Sequence, residues 1–121
     1  MKKIEADERR VANIHRDDFE PWSADADSAS GESVLQLNGQ PRGTGFHIYK
    51  MAPGTCSNPH EHTQDEEFYM ISGEIVDNDG TVYREGDLVW LKKGTQHSSY
   101  TKDGAVIAVY IGEAESSLDT Q

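Results

Sequence analysis

The sequence predicts one all-β domain, either a sandwich or a barrel. Short runs rich in β-branched and aromatic residues recur along the chain, and glycine, proline and asparagine turns separate them, a pattern typical of such folds. Outside residues 1–10, no run has a convincing helical period of apolar positions. The length of 121 residues fits a single domain with its own core.

The individual strands follow from this alternation of β-forming and turn residues. Asn38 and Gly39, a pair favoured in hairpins, end the second expected strand, and residues 78–80 form a clear hairpin loop further on. The expected strands, in chain order, are residues 11–15, 34–37, 46–51, 67–71, 74–77, 81–84, 88–91, 96–101 and 105–111.

Composition divides the chain into three segments. Residues 1–32 form a charged N-terminal segment with a short strand and a loop, and the small polar residues at 23–33 are typical of a mobile loop. Residues 33–112 form the barrel. Residues 113–121 form an acidic tail that we expect to be flexible.

The charge balance excludes several partners. The chain has 11 basic and 22 acidic residues and a formal net charge of −11. Binding to nucleic acid or to an anionic membrane surface requires clusters of Lys and Arg, so we expect neither partner. A small-molecule substrate remains the expected partner.

Cysteine content and the N-terminus favour a cytoplasmic protein. Cys56 is the single cysteine, so no disulfide can form within the chain, which fits a reducing compartment. A free, buried thiol is the expected state of Cys56. Lys2 and Lys3 are not followed by an apolar run, so the N-terminus does not resemble a signal peptide, and no segment is apolar enough to span a bilayer.

A histidine pair is the strongest chemical signal. His60 and His62 are two residues apart, and on a strand such residues point to the same face. Glu66 follows, and imidazole nitrogens with a carboxylate suit a first-row divalent ion. Strand alternation favours Glu66 over Glu67 as the ligand, because Glu66 would share an inward face with Phe68.

Two spaced motifs resemble those of the cupin superfamily. The first is Gly54-x5-His60-x-His62-x3-Glu66-x6-Gly73, and the second is Gly86-x7-Gly94-x2-His97, with Lys92 where the family usually has proline and Thr101 where it often has asparagine. Across about residues 33–111, the resemblance implies a cupin barrel, that is, a double-stranded β-helix or jelly roll. It also implies that His60, His62, Glu66 and His97 are the metal ligands.

A further pattern, Asp77-x2-Gly80-x2-Tyr83-x2-Gly86-Asp87, resembles the subgroup containing the cupin-like domain of ChrR-type anti-sigma factors and small diketone dioxygenases. This resemblance implies one divalent metal ion per chain, with Fe2+ favoured and Zn2+, Mn2+, Ni2+ or Co2+ as alternatives. The expected function is an Fe(II)-dependent oxygenase, a dioxygenase-type oxidoreductase, acting on a small enolisable substrate.

Two other functions stay open at this point. One is a non-catalytic module that senses a ligand or a metal, although residues 1–32 do not supply the zinc-binding helical domain with which ChrR-type proteins contact a sigma factor. The other is a metal-dependent sugar isomerase or epimerase, which would use the metal as a Lewis acid without O2.

The remaining candidates concern the pocket and the surface. Alternation places Phe68, Met70, Val89 and Leu91 in the pocket lining. His47 and Tyr49 are candidate catalytic residues, although a structural histidine is the more common role, and core or dimer packing is the default role of Trp22 and Trp90. Residues 88–91 and 106–111 are apolar on both faces, which predicts a homodimer.

Overall fold

The computed structural model describes residues 1–23, 31–113 and 116–118. These residues contain a 3₁₀ turn at Ala6–Glu8 and eleven strands, with no α-helix among them, which confirms the all-β prediction. The strands are β1 Glu20–Pro21, β2 Glu32–Leu35, β3 Gly45–Met51, β4 His60–Glu61, β5 Glu66–Asp77, β6 Val82–Arg84, β7 Leu88–Leu91, β8 Gln96–His97, β9 Ser99–Tyr100, β10 Ala105–Ile111 and β11 Ser116–Ser117.

The strands form two antiparallel sheets. The larger sheet has the order β1-β2-β3-β10-β5-β6, with β7 and β9 also pairing with β5. The smaller sheet has the order β11-β4-β8. Because one long strand pairs with four others along its length, the larger sheet curls around it into a barrel.

Strand β5 is the centre of the fold, and its first half alternates as expected. Glu66, Phe68 and Met70 are buried, whereas Glu67 and Tyr69 are exposed. The inward residues of β5, β3 and β10 form one hydrophobic core, which contains Met51, Phe68, Met70, Ile75, Ala105, Ile107 and Val109.

The expected break of this strand at Ser72 and Gly73 is wrong. The chain continues as one strand, and a bulge replaces the turn, because Val106 pairs with Ser72 while Ile107 pairs with Met70. Gly73 has a φ of 82°, and a Cβ there would lie 2.1 Å from the backbone oxygen of Gly104. The glycine therefore permits a bend within the strand rather than ending it.

Three other local predictions are wrong. Residues 11–15 are not a strand, and the chain turns at residues 14–16. Asn38 and Gly39 are not a two-residue hairpin, because β2 ends at residue 35 and β3 begins at residue 45. Asn38 instead bridges this loop, since its Nδ2 donates to the backbone oxygens of Thr44 and Phe46 at 3.0 and 3.2 Å. Residues 96–101 divide into β8 and β9, which pair in different sheets.

Both flanking segments take part in the sheets. β1 pairs with β2, and β11 pairs with β4, while the flexibility of the tail as a whole stays a prediction. Most of the loop expected to be mobile lies outside the described residues, as do residues 114–115 and 119–121. The division at residues 32 and 112 stays a prediction.

One outer face of the larger sheet carries large apolar side chains. Phe46, Tyr110, Glu67 and Trp90 form one row across β3, β10, β5 and β7, and Ile48, Ala108, Tyr69 and Leu88 form the next. We call these rows the aromatic face. Its most exposed members are Leu88 at 77% and Phe46 at 61%. No helix among the described residues has the length and apolarity needed to cross a bilayer.

Candidate metal centre

Three histidines from the smaller sheet are positioned to bind a metal ion. His60 on β4 pairs directly with His97 on β8, and His62 follows β4. Their ring centroids lie 4.5–5.0 Å apart, and one ring nitrogen from each lies within 4.8 Å of the others. His60 and His62 are buried, and His97 is partly buried. Because β4 and β8 are adjacent, sequence-distant histidines meet at one point.

The Nδ1 atom of each histidine is engaged by an acceptor. His60 Nδ1 lies 2.8 Å from the Asn58 backbone oxygen, and His97 Nδ1 lies 3.0 Å from Asp77 Oδ2. Neither oxygen carries a hydrogen, so each Nδ1 must donate. This protonation leaves the Nε2 lone pairs of the neutral rings as the metal-binding atoms.

His62 reaches the same tautomer through a hydroxyl group. Its Nδ1 lies 2.9 Å from Thr95 Oγ1, and this hydroxyl donates its own hydrogen to the Lys92 backbone oxygen at 2.8 Å. The hydroxyl can therefore only accept from His62. His62 Nε2 is fully buried and has no hydrogen-bond partner among the described residues, which is the state expected of a metal ligand shown without its ion.

Glu66 stands beside this group. Its carboxylate is buried, and Oε1 lies 3.4 Å from His62 Nε2. A carboxylate oxygen and an unprotonated nitrogen at this distance repel each other, so a cation between them would stabilise both. The group of three mutually close donor atoms does not include Glu66. Its role as fourth ligand stays a prediction, whereas neighbouring Glu67 points outward.

Asp77 is a residue that sequence reasoning missed as a partner of the site. Besides His97, it accepts hydrogen bonds from Ser99 Oγ at 2.6 Å and Tyr83 OH at 3.0 Å. Burial alone would raise the pKa of Asp77, but the hydrogen bonds from His97 and Ser99 lower it below its usual range. The available signal was the subgroup pattern, which contains both Asp77 and Tyr83.

The pKa of His60 lies below its ordinary value. Burial lowers the pKa of His60, the Asn58 carbonyl raises it, and the nearby His97 and His62 lower it further. A low pKa keeps the ring neutral and able to bind a metal.

A cavity of about 300 Å³ opens beside the histidines. His60, His97, Glu66 and Phe68 line it, together with apolar side chains of β10. Met70, Val89 and Leu91, which strand alternation assigns to the pocket, are not among the described side chains that line this cavity. Met70 is fully buried in the core, and Val89 and Leu91 pack against that core. Alternation identifies the inward face but not which part of that face the curled sheet leaves open.

His47 and Tyr49 both line the cavity from β3. His47 is 3% exposed, and its Nδ1 lies 2.9 Å from the Gly45 backbone oxygen. The Tyr49 hydroxyl donates to Glu32. Trp22, which also lines the cavity, packs with ring centroids 5.1 Å from Tyr49 and 6.2 Å from His47. Their positions are compatible with contact to a bound molecule.

Solvent exposure tests two predictions from the sequence, one for the tryptophans and one for the thiol of Cys56. Trp90 is 57% exposed on the aromatic face, so it is not a core residue, whereas Trp22 lines the cavity. Cys56 is exposed, so the prediction of a buried thiol is wrong. Its segment lies between β3 and β4, where Thr55 and Ser57 alternate inward and Cys56 therefore points out.

The barrel and its buried histidines define the class of protein: this is a cupin. The family model of the ChrR cupin-like domain matches residues 11–115, and the chain belongs to that family. The resemblance found in the sequence is therefore confirmed. A search of curated proteins found no match.

Solved structures agree on the fold. An acetylacetone dioxygenase from Acinetobacter johnsonii superposes with a TM-score of 0.74 at 15% identity, covering 99% of this chain and 83% of that one. A putative acetylacetone dioxygenase from Methylibium petroleiphilum PM1 gives 0.74 at 13% identity, covering 99% and 85%. The Rhodobacter sphaeroides complex of SigE with the anti-sigma ChrR gives 0.62 at 13% identity, covering 80% and 49%.

Proposed function

We propose that the protein is an Fe(II)-dependent oxygenase that acts on a small enolisable compound such as a diketone. The observation that carries this proposal is the buried His62 Nε2, which has no hydrogen-bond partner in the described part of the chain and lies 3.4 Å from Glu66 Oε1 beside a cavity. His60, His62, His97 and Glu66 would hold the ion. The acetylacetone dioxygenases of the same fold support this class of substrate.

The donor set is the reason for favouring iron. Imidazole and carboxylate ligands that leave coordination positions open are typical of non-haem Fe(II) oxygenases. When bound, the ion would supply the place at which substrate and O2 react.

The chain's own residues bind the substrate and exclude water. Phe68, Ile107 and Val109 line the cavity with apolar surface, and its volume of about 300 Å³ suits a small molecule. Arg42 lies at the same cavity, where its guanidinium contacts Glu20 at 3.2 Å and the Trp22 backbone oxygen at 3.4 Å. Trp22 and Arg42 thus limit the shape of molecules that fit.

Anaerobic reconstitution with Fe(II) followed by oxygen-uptake assays tests this proposal. We expect one bound iron per chain and oxygen uptake with at least one member of a panel of diketones and hydroxyacetophenones. His97→Ala should lose bound metal and uptake together, whereas His15→Ala, at an exposed histidine, should retain both. Iron bound at full occupancy with no uptake on any panel member would count against the oxygenase.

A sensing module is the second candidate, and membership of the ChrR cupin-like family favours it. Such a module would bind a metal and a ligand in the same cavity without turnover. Iron loading with ligand binding but no oxygen uptake is the result that this alternative predicts, and metal analysis of protein from its native host bears on both candidates.

A further inference from the structure

His47 is a buried, titratable side chain that the metal centre does not use. It lies on β3, where it pairs with Val109 of β10, and Val109 in turn pairs with Phe68 of β5. Gly45, Ile111 and Glu66 form the next inward row of the same sheet. His47 therefore occupies the cavity wall that also carries Glu66, two strands away from it.

The backbone fixes the tautomer of this ring. His47 Nδ1 lies 2.9 Å from the Gly45 oxygen, which can only accept, so Nδ1 carries the hydrogen. Asn38 holds this part of the strand, since its Nδ2 donates to the backbone oxygens of Thr44 and Phe46 on either side of Gly45. In the neutral ring, Nε2 is then the basic atom.

The surroundings keep the ring neutral. Burial lowers the pKa of His47 below its ordinary value of 6.5, while the hydrogen bond to Gly45 and the charge of Glu66 raise it. Trp22, Phe68 and Val109 add apolar surface to the same cavity wall. A neutral imidazole on the wall of a cavity is able to accept a proton from a molecule bound there.

We propose that His47 is the general base of this site, and that its Nε2 removes the acidic C–H proton of an enolisable ketone bound in the cavity. This inference rests on the proposed function for the substrate class. The C–H bond breaks, its electron pair stays on the substrate as the enolate, and the proton forms a new N–H bond at Nε2. The resulting imidazolium keeps its Nδ1–H bond to Gly45 and later returns the proton to water.

Proton exchange tests the base separately from oxygen chemistry. The protein is loaded with Zn2+, which is redox-inert, and incubated anaerobically in D2O with 2′-hydroxyacetophenone, a methyl ketone with the hydroxyl on its ring, and deuterium incorporation into the methyl group is followed by NMR. We expect wild-type protein to accelerate exchange above the buffer rate. His47→Asn, whose amide can still donate to Gly45, should lower the acceleration roughly 100-fold or more, whereas His15→Asn should not change it.

Metal content and thermal melting of His47→Asn separate loss of the base from loss of the fold. Exchange at the wild-type rate in folded, zinc-loaded His47→Asn overturns the proposal, and so does the absence of exchange in the wild type. Retained exchange with no oxygen uptake would instead refute the oxygenase while leaving His47 as the base.

A second measurement needs neither substrate nor metal. Long-range proton–nitrogen NMR spectra of the wild-type imidazoles identify the protonated nitrogen of each ring, and His47→Asn assigns the signal. We expect His47 to show a protonated Nδ1 and an unprotonated Nε2 at neutral pH. A protonated Nε2 on the signal that disappears in His47→Asn would overturn the proposal.

Discussion

Thr95 fixes the tautomer of His62, although its own hydroxyl is not one of the donor atoms that would bind the ion. Its hydroxyl accepts from His62 Nδ1 and donates to the Lys92 carbonyl, so the direction of both hydrogen bonds is fixed. These two hydrogen bonds, which we call the Thr95 relay, hold the His62 ring with its Nε2 lone pair directed toward the other donor atoms. A residue with a hydroxyl on a turn thereby determines how well a neighbouring imidazole binds metal.

Thr95→Val should weaken metal binding while preserving the fold, because valine has the same shape but cannot accept from Nδ1. Loss of such a partner typically lowers metal affinity by about 10- to 100-fold. Chelator competition with Zn2+ measures the change. Thr81→Val, at an exposed threonine of the hairpin loop, is the matched control. Equal affinities in the two variants would argue against the relay.

The buried histidines also predict how stability depends on pH. Burial lowers the pKa values of His47 and His60 below 6.5, so between 6.5 and the lowered values the unfolded chain binds more protons than the folded one. The free energy of unfolding of the metal-free protein should therefore fall as pH decreases below about 6.5. Urea titrations from pH 7.5 to 5 measure this. A smaller decrease is expected in His47→Asn than in His15→Asn.

At the scale of elements, β5 links the site to the rest of the barrel. Its first residue, Glu66, stands at the metal centre, and its last residue, Asp77, holds His97 from behind. The bulge at Ile71, the residue between Met70 and Ser72 that has no partner in β10, lies between them. One extra residue in a strand reverses the faces to which all later side chains point. As a result, the carboxylates of Glu66 and Asp77, at opposite ends of β5, both point inward.

Gly73→Ala should destabilise the protein by more than about 2 kcal/mol, because alanine is strained at a φ of 82° and its Cβ would meet the backbone of Gly104. Gly80→Ala is the matched control, since Gly80 has a φ of 89° but nothing within 4 Å of the added Cβ. Urea unfolding measures the loss of stability in both variants, and the difference between the two losses is the cost of the clash apart from the backbone strain. Equal losses would show that the close approach to Gly104 is relieved by a small shift.

Sequence predicted the class of fold and the residues that meet at the histidine cluster, because local alternation and motif spacing carry that information. Local reasoning could not locate the partners of those residues. Thr95 and Asp77 lie 33 and 20 positions from the histidines that they contact, and only the pairing of β4 with β8 and of β5 with β9 brings them close. The curvature of the larger sheet, which local sequence patterns also do not specify, places Met70 in the core and His47 at the cavity.

At the scale of the whole molecule, the aromatic face remains open in the described part of the chain. Five large side chains contribute to it: Phe46, Tyr69, Leu88, Trp90 and Tyr110. Side chains of this size, about half exposed, present roughly 500 Å² of apolar surface. This is a large share of the roughly 800 Å² that each partner supplies to a standard interface, and a second copy of the chain is the occupant that we expect.

The homodimer is a prediction with a direct measurement. Light scattering after size-exclusion chromatography should give twice the chain mass for the wild type, and Trp90→Lys should shift the protein to the monomer. Val11→Lys, at an exposed apolar residue outside the face, should remain dimeric. Each copy has a net charge of −11, so the dimer should tighten as added salt screens the repulsion. A wild-type monomer at high salt and concentration would contradict the prediction.

The short strand β11 borders β4, with Ser117 opposite His60, and this pairing matters for handling the protein. An affinity tag fused after residue 121 would begin only four residues beyond Ser117, which pairs with His60, so a polyhistidine tag there could bring competing imidazoles to the metal centre. Apparent metal stoichiometry from such a preparation would include the tag. A cleavable tag ahead of Met1, removed before metal analysis, avoids this interference.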